Sequence, residues 1–308
     1  MPSCPPSKLL VTGASGQLGR LVVEHLLAQG ATGIIAGSRN PDALADFAAR
    51  GVEVRRADFD DPASLDRAFA GADRILIISV LDTPDDPPRR LQQHRAAVEA
   101  AVRAGVKHIV YTSMQNPDSA SPIPFAPDHT GTERAIEDTG IPFTILRPNW
   151  YAELAFMWLP PVLASGQWFS AAGDGKVAYL WRDDLALAAA AALQSDAAES
   201  RKLNISGADV LTAQEIIAAV NQIFGVSAIL VPVSEEDLAT GLRTSGLPEQ
   251  QVAIFSAFDV NTRLGRVDST DQDFEQLTGH RPRGLRDFLI EHREALLQCS
   301  RAPSPRSV

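Results

Sequence analysis

From residue 8 to residue 150, short apolar runs alternate with longer stretches that place apolar residues on one face of a helix. The runs at 8–12, 33–38, 52–57, 74–79, 108–112 and 143–147 predict strands. Between them, 17–29, 41–49, 64–69, 90–104 and 129–139 predict helices. The first of these lines up Leu18, Val22, Leu26 and Leu27. Runs such as ILIIS and HIVYTS are apolar without alternation, which is the pattern of strands covered on both faces. The reading is an α/β protein with a doubly wound parallel sheet, a Rossmann domain over 7–150.

After Trp150 the rhythm changes to longer helical patterns at 183–193, 212–224, 234–244 and 284–297, with strands at 202–205 and 229–233. This half, 151–297, reads as a smaller C-terminal α/β cap domain, with elements of 176–206 able to return to the first domain. Thr212 and Glu215 have the spacing of a capping box. Asp183 and Asp184 precede an Ala-rich helix and fit its positive end better than a paired-carboxylate site. The Pro-rich ends, 1–6 and 298–308, read as flexible tails. DTPDDPPRR at 82–90 reads as a mobile loop that covers the cofactor.

Composition narrows the function. The 28 basic and 38 acidic residues leave a formal charge of −10, which repels the phosphates of nucleic acid and of anionic lipid. No apolar run is long enough to span a bilayer, and the start lacks a secretory pattern, so a cytoplasmic location is expected. Two cysteines near opposite ends exclude a disulfide framework or a Cys-x-x-Cys pair, and no metal-ligand cluster appears.

Gly13, Gly16 and Gly19 follow the first strand directly and open a helix, which is the context a dinucleotide fingerprint requires. Gln17 and Leu18 bring free N–H groups to a pyrophosphate, with Ser15 beside them. The second strand ends in GSRNP. It has no carboxylate for a ribose 2′-hydroxyl, while Ser38 and Arg39 suit a 2′-phosphate, so NADPH is expected over NADH. Asp58, with Phe59, follows the third strand where an adenine is held. Ser79, Thr112 and Ser113 end the fourth and fifth strands.

These residues resemble a known family, the NmrA-like atypical short-chain dehydrogenases, in the branch of quinone oxidoreductases and triphenylmethane dye reductases. TGASGQLG at 12–19, SRNP at 38–41, GVEVRRADFDDPASLDRAFAGAD at 51–73 and QHRAAVEAAVRAGVKHIVYTS at 93–113 carry the likeness. So do DHTGTERAIEDTGIPFTILRPNWYAE at 128–153, AAGDGKVA at 171–178 and LNISGADVLTAQEIIAAV at 203–220. The resemblance implies NADPH binding, a cap closing a cleft, and hydride transfer to a quinone, a dye or a neighbouring azo, enone or imine compound. Some members are non-catalytic sensors of the NADP/NADPH ratio, which is the alternative reading.

Ordinary short-chain dehydrogenases pair a Ser after the fifth strand with Tyr-x-x-x-Lys on the next helix. Here Ser113 remains, while His129 and Glu133 stand at the Tyr and Lys positions; Glu133 is also a candidate cofactor contact. A carboxylate supplies no cation to acidify a phenol. A quinone needs less help, its product taking a proton from His129, Tyr151 or water. Asn149 is placed to orient a carboxamide or a substrate oxygen, and Trp150, Tyr151 and Phe156 to flank a flat aromatic acceptor. The protein is expected to act as a monomer or homodimer.

Overall fold

The computed structural model describes residues 7–80 and 89–301. The expectations for the tail 1–6 and for most of the 82–90 loop therefore lie outside the described residues. In chain order the sheet region comprises β1 (Leu9–Val11), α1 (Gln17–Ala28), β2 (Ile34–Ser38), α2 (Ala45–Ala48), β3 (Glu53–Arg56), α3 (Pro62–Phe69) and β4 (Arg74–Ile77). It continues through α4 (Arg90–Arg103), β5 (His108–Thr112), α5 (Ala126–Glu137) and β6 (Phe143–Pro148). Then come α6 (Ala155–Ser165), β7 (Gln167–Ser170), β8 (Lys176–Val177), α7 (Arg182–Gln194) and β9 (Arg201–Ile205). The rest is β10 (Leu211–Thr212), α8 (Ala213–Phe224), β11 (Ile229–Pro232), α9 (Glu235–Thr244), α10 (Glu249–Arg263), α11 (Asp273–Thr278), α12 (Leu285–Glu291) and α13 (Arg293–Arg301).

Seven strands form one sheet in the order β3-β2-β1-β4-β5-β6-β9, all neighbours parallel. Alternate side chains of each strand go to opposite layers. Leu9, Val11, Leu76, Val110 and Leu146 pack with Val22 and Leu26 of α1 and with Leu185 and Ala189 of α7. Leu10, Ile75, Ile77, Ile109 and Tyr111 pack with Leu65 and Phe69 of α3, Ala97 and Val98 of α4, and Ile136 of α5. Chain order reverses between β1 and β4, which opens a crevice at the carboxyl ends of these two strands. Thr12 holds that point together: its hydroxyl donates to Leu76 O at 2.9 Å and accepts from Ile78 N at 3.0 Å.

A separate apolar cluster joins α6, α8, α12 and α13 around Leu159, Ile217, Val220, Phe288 and Leu296. Residues 298–301, expected in the tail, are the last turn of α13, because Leu296 and Leu297 fasten that helix to this cluster. Thr212 and Glu215 do form the capping box at the start of α8. The pattern at 284–297 is two helices that meet at His292.

Candidate functional site

The glycine loop leaves β1 with Gly13 at φ +60°, bends so that Gly16 N donates to Gly13 O at 2.9 Å, and enters α1. A Cβ on Gly19 would sit 2.3 Å from Gly13 O and 2.7 Å from Ala14 Cα, so only glycine lets the helix lie this close to the strand. Gly16 caps α1 without any side-chain bond to its first amides. Gly13, Ser15, Gly16 and Gln17 are exposed; Leu18 and Gly19 are buried. The helix start thus presents open N–H groups and the positive dipole end to an anion.

At the end of β2 the buried Ser38 hydroxyl lies 2.8 Å from Ser15 Oγ and accepts from Asn40 N. Arg39 is exposed, and its side chain has no hydrogen bond or ion pair among the described residues. A dinucleotide phosphate fits this cradle: glycine where a Cβ would fill it, open amides, and one unpaired guanidinium beside it. Asp58 lies further along, paired with Arg56 at 3.0 Å and accepting from Asp60 N. Phe59, expected at the cofactor, turns its ring into the core with Ile35 and Leu65.

Between β4 and β5, Thr112 Oγ1 accepts from Ser79 N at 2.9 Å. Ser113 and Glu133 meet directly: the Ser113 hydroxyl donates to Glu133 Oε1 at 2.6 Å. Glu133, expected at the cofactor, instead spends its oxygens on Ser113, on Arg147 Nε at 2.9 Å and Nη2 at 2.5 Å, and on Lys202 Nζ at 3.1 Å. Burial alone would raise its carboxyl pKa; the Arg147 and Ser113 bonds and the nearby cations hold it below the usual range.

His129 is buried, with Nδ1 2.8 Å from the Tyr111 hydroxyl. Burial first, then the charge of Arg90, lowers its pKa to about 3. The imidazole is therefore neutral near pH 7. Tyr151 is half-buried under the guanidinium of Arg182, 5.3 Å from the ring centre, and burial pushes its phenol pKa up.

Asn149 is buried and engaged. Its Nδ2 donates to Val267 O at 2.9 Å, and its Oδ1 accepts from Trp150 N at 2.7 Å. It bolts the end of β6 to the turn after α10. Trp150 stacks on Phe258 of α10 with ring centres 4.3 Å apart, in a cluster with Met114, Phe125 and Ala257. Phe156, expected to flank the acceptor, lies edge-on to Phe288 at 6.0 Å and belongs to the second core, because α6 buries that face.

Sequence reasoning missed Tyr111, His94, Thr132, Arg147 and Lys202, which hold the site from behind. It also missed the Gln115 to Ser206 bond of 2.7 Å that joins the ends of β5 and β9. Asp183 and Asp184 do lie in the first turn of α7, where they also hold Arg283 at 2.7 and 2.6 Å. Among the described residues, no three His, Cys, Asp or Glu side chains gather to hold a metal, and no helix is long and apolar enough to cross a membrane. A groove between α4 and α5, lined by Arg95, Val98, Val102 and Arg134, lies on the outer surface of the helical layer.

Known proteins resemble this chain in sequence and in fold. Quinone oxidoreductase 2 of Escherichia coli (strain K12) is 35% identical over 273 residues, 88% of this chain and 94% of its own length. The crystal structure of the E. coli NADPH-dependent quinone oxidoreductase complexed with NADPH superposes with a TM-score of 0.86 at 34% identity, covering 93% of this chain and 99% of that one. Triphenylmethane reductase from Citrobacter sp., complexed with NADP(H), superposes with a TM-score of 0.83 at 36% identity, covering 92% and 99%. The NAD(P)H-binding family model matches residues 13–196, more than half of the chain, and this protein belongs to that family.

Proposed function

We propose that this chain is an NADPH-dependent reductase that passes hydride to a quinone or a related conjugated acceptor such as a dye or azo compound. The observation that carries the reading is the open glycine loop of Gly13, Gly16 and Gly19 beside the unpaired Arg39, with no carboxylate at the end of β2. The names of its relatives, quinone oxidoreductase 2 and triphenylmethane reductase, support the acceptor class.

Bound NADPH supplies a hydride from its nicotinamide ring. The chain does the holding. Ser15 and the amides of Gln17 and Leu18 take the pyrophosphate, Ser38 and Arg39 the 2′-phosphate, and Asp58 the adenine edge. Ser79, Thr112 and Ser113 border the nicotinamide end. The Ser113 hydroxyl donates its one hydrogen bond to Glu133, so toward a ligand it is an acceptor only. His129, Trp150 and Tyr151 face the acceptor, while Asn149 sets the position of Trp150. With His129 and Glu133 at the Tyr and Lys positions, α5 carries no lysine-paired phenol, so the alcohol and ketone chemistry of ordinary short-chain dehydrogenases is disfavoured. The acceptor is small and flat. The protein acts on it as a monomer or homodimer in the cytoplasm, with no nucleic-acid partner, in keeping with its charge of −10.

The test follows the nicotinamide absorbance when purified protein meets menadione with NADPH or NADH, for the natural chain and for Arg39→Ala. Turnover with NADPH is expected, and the variant should raise the NADPH KM roughly tenfold while leaving that for NADH unchanged. NADPH binding without turnover of any quinone or dye would replace this reading with that of a sensor.

A further inference from the structure

Behind the site, between β5, α4 and α5, Tyr111, His94, His129 and Thr132 form a buried chain of hydrogen bonds. Its directions can be assigned, because one end is a backbone amide. Val80 N–H can only donate, so His94 Nε2, 3.1 Å away, accepts, and that ring carries its proton on Nδ1. His94 Nδ1 donates to Thr132 Oγ1 at 2.9 Å, whose own proton goes to Asp128 O at 2.7 Å. The Tyr111 oxygen, 3.3 Å from the same Nδ1, shares that proton. Tyr111 has its hydroxyl proton left to give, and His129 Nδ1 lies 2.8 Å away. Burial keeps the phenol protonated and the imidazole neutral. A neutral imidazole that accepts at Nδ1 carries its one proton on Nε2.

We propose that Tyr111 is a positioning residue that locks His129 as the Nε2–H tautomer, so that α5 offers the acceptor's oxygen a neutral hydrogen-bond donor rather than an acid. The proposal rests on the reading of the site given above. Strand and helix periods support it: Tyr111 on β5 and Ser113 just past its end, two residues apart, donate hydrogen bonds to His129 and Glu133, four apart on α5. The His129 ring lies edge-on to Phe125 at 5.9 Å, and Phe125 packs in the cluster that contains Trp150 and Phe258. Nε2 has no hydrogen-bond partner among the described residues. As the hydride and its electron pair arrive on the acceptor, negative charge develops on the acceptor's oxygen, and Nε2–H stabilises it there. The proton that completes the hydroquinone comes from water, and His129 keeps its own. Because the chain of bonds begins at Val80 N, just beyond β4, the backbone at the nicotinamide end and the donor at 129 are set together.

The experiment is a long-range proton–nitrogen correlation spectrum of the full chain with NADPH, its histidines labelled with nitrogen-15 and His129 assigned through His129→Gln. His129 should be protonated on Nε2 alone across neutral pH. Tyr111→Phe should give a mixture of tautomers and lower kcat for menadione about tenfold with the NADPH KM unchanged. A natural chain protonated on Nδ1, or an unchanged tautomer in Tyr111→Phe, overturns the lock. A changed tautomer with unchanged kcat overturns its use in the reaction. The spectrum needs no turnover, so a chain inactive with quinones defeats the functional reading without touching the lock. Should Tyr111→Phe not fold, the spectrum of the natural chain decides the tautomer. His129→Gln, which keeps a donor, must then retain more activity than His129→Leu.

Discussion

Ser113 and Glu133 share a hydrogen bond of 2.6 Å, and it redefines both positions. Where ordinary short-chain dehydrogenases hold a lysine, this chain buries a carboxylate and draws its cations from elsewhere, Arg147 from β6 and Lys202 from β9. Lys202 also pairs with Glu137 one turn along α5, at 2.5 Å. Three segments distant in sequence are thereby pinned at one edge of the sheet. Glu133→Ala leaves Arg147 without its carboxylate and Lys202 with Glu137 alone. It should cost about 3 kcal/mol, the low end for breaking a buried pair, since both partners keep some water. Denaturant unfolding measures this; a loss below about 1 kcal/mol would mean the network contributes little.

Three buried histidines set the acid limit of the fold. Burial, aided by neighbouring cations, brings His108 to about 4 and His129 to about 3, and burial places His94 well below its ordinary value. Each folded pKa is lower than the unfolded value of about 6.5. Their contribution to stability is therefore complete above about pH 6.5 and is lost progressively as pH falls toward 4 and 3. Tm measured against pH should decline from about 6.5 downward, while kcat shows no step from His129 between roughly pH 5 and 8. A Tm unchanged from neutral pH to about 4 would contradict the assignment.

Gly19→Ala tests the close approach of α1 to β1. The added methyl meets backbone at 2.3 and 2.7 Å, and backbone cannot rotate away as a side chain can. The loop must open. A stability loss of about 1–3 kcal/mol is expected, together with NADPH binding weakened more than tenfold. Gly30→Ala is the control: Gly30 has φ +73° and empty space around it, so it should lose about 1 kcal/mol through strain and leave NADPH binding intact.

The parallel sheet was legible because its strands are continuous apolar runs, and the glycine loop because its spacing and context are local. Helix ends were less so: α5 begins at Ala126, three residues before the expected start, since Pro127 is tolerated in a first turn. The Pro160–Pro161 pair hid α6. Partnerships between distant segments were not legible at all. Nothing local in Glu133, Arg147 or Lys202 says that the three meet, and Asn149 looked free to bind a ligand because its partner Val267 lies 118 residues away.

Asn149 separates two ways of shaping an acceptor site. Were it a direct ligand contact, Asn149→Ala would mainly weaken binding of whatever it touches. In this structure its side chain spans the gap between Trp150 N and Val267 O, so the alanine variant frees the turn after α10 and loosens the stack of Trp150 on Phe258. It also leaves Trp150 N without its partner, while Val267 O keeps only its bond from Ala178 N. The expected outcome is a loss of about 2–3 kcal/mol in stability and an acceptor KM raised several-fold, with the NADPH KM unchanged because the glycine loop and Arg39 are remote from this bolt. Steady-state kinetics on both substrates, alongside denaturant unfolding, makes the distinction. A raised NADPH KM with normal stability would return Asn149 to the nicotinamide carboxamide as a direct contact.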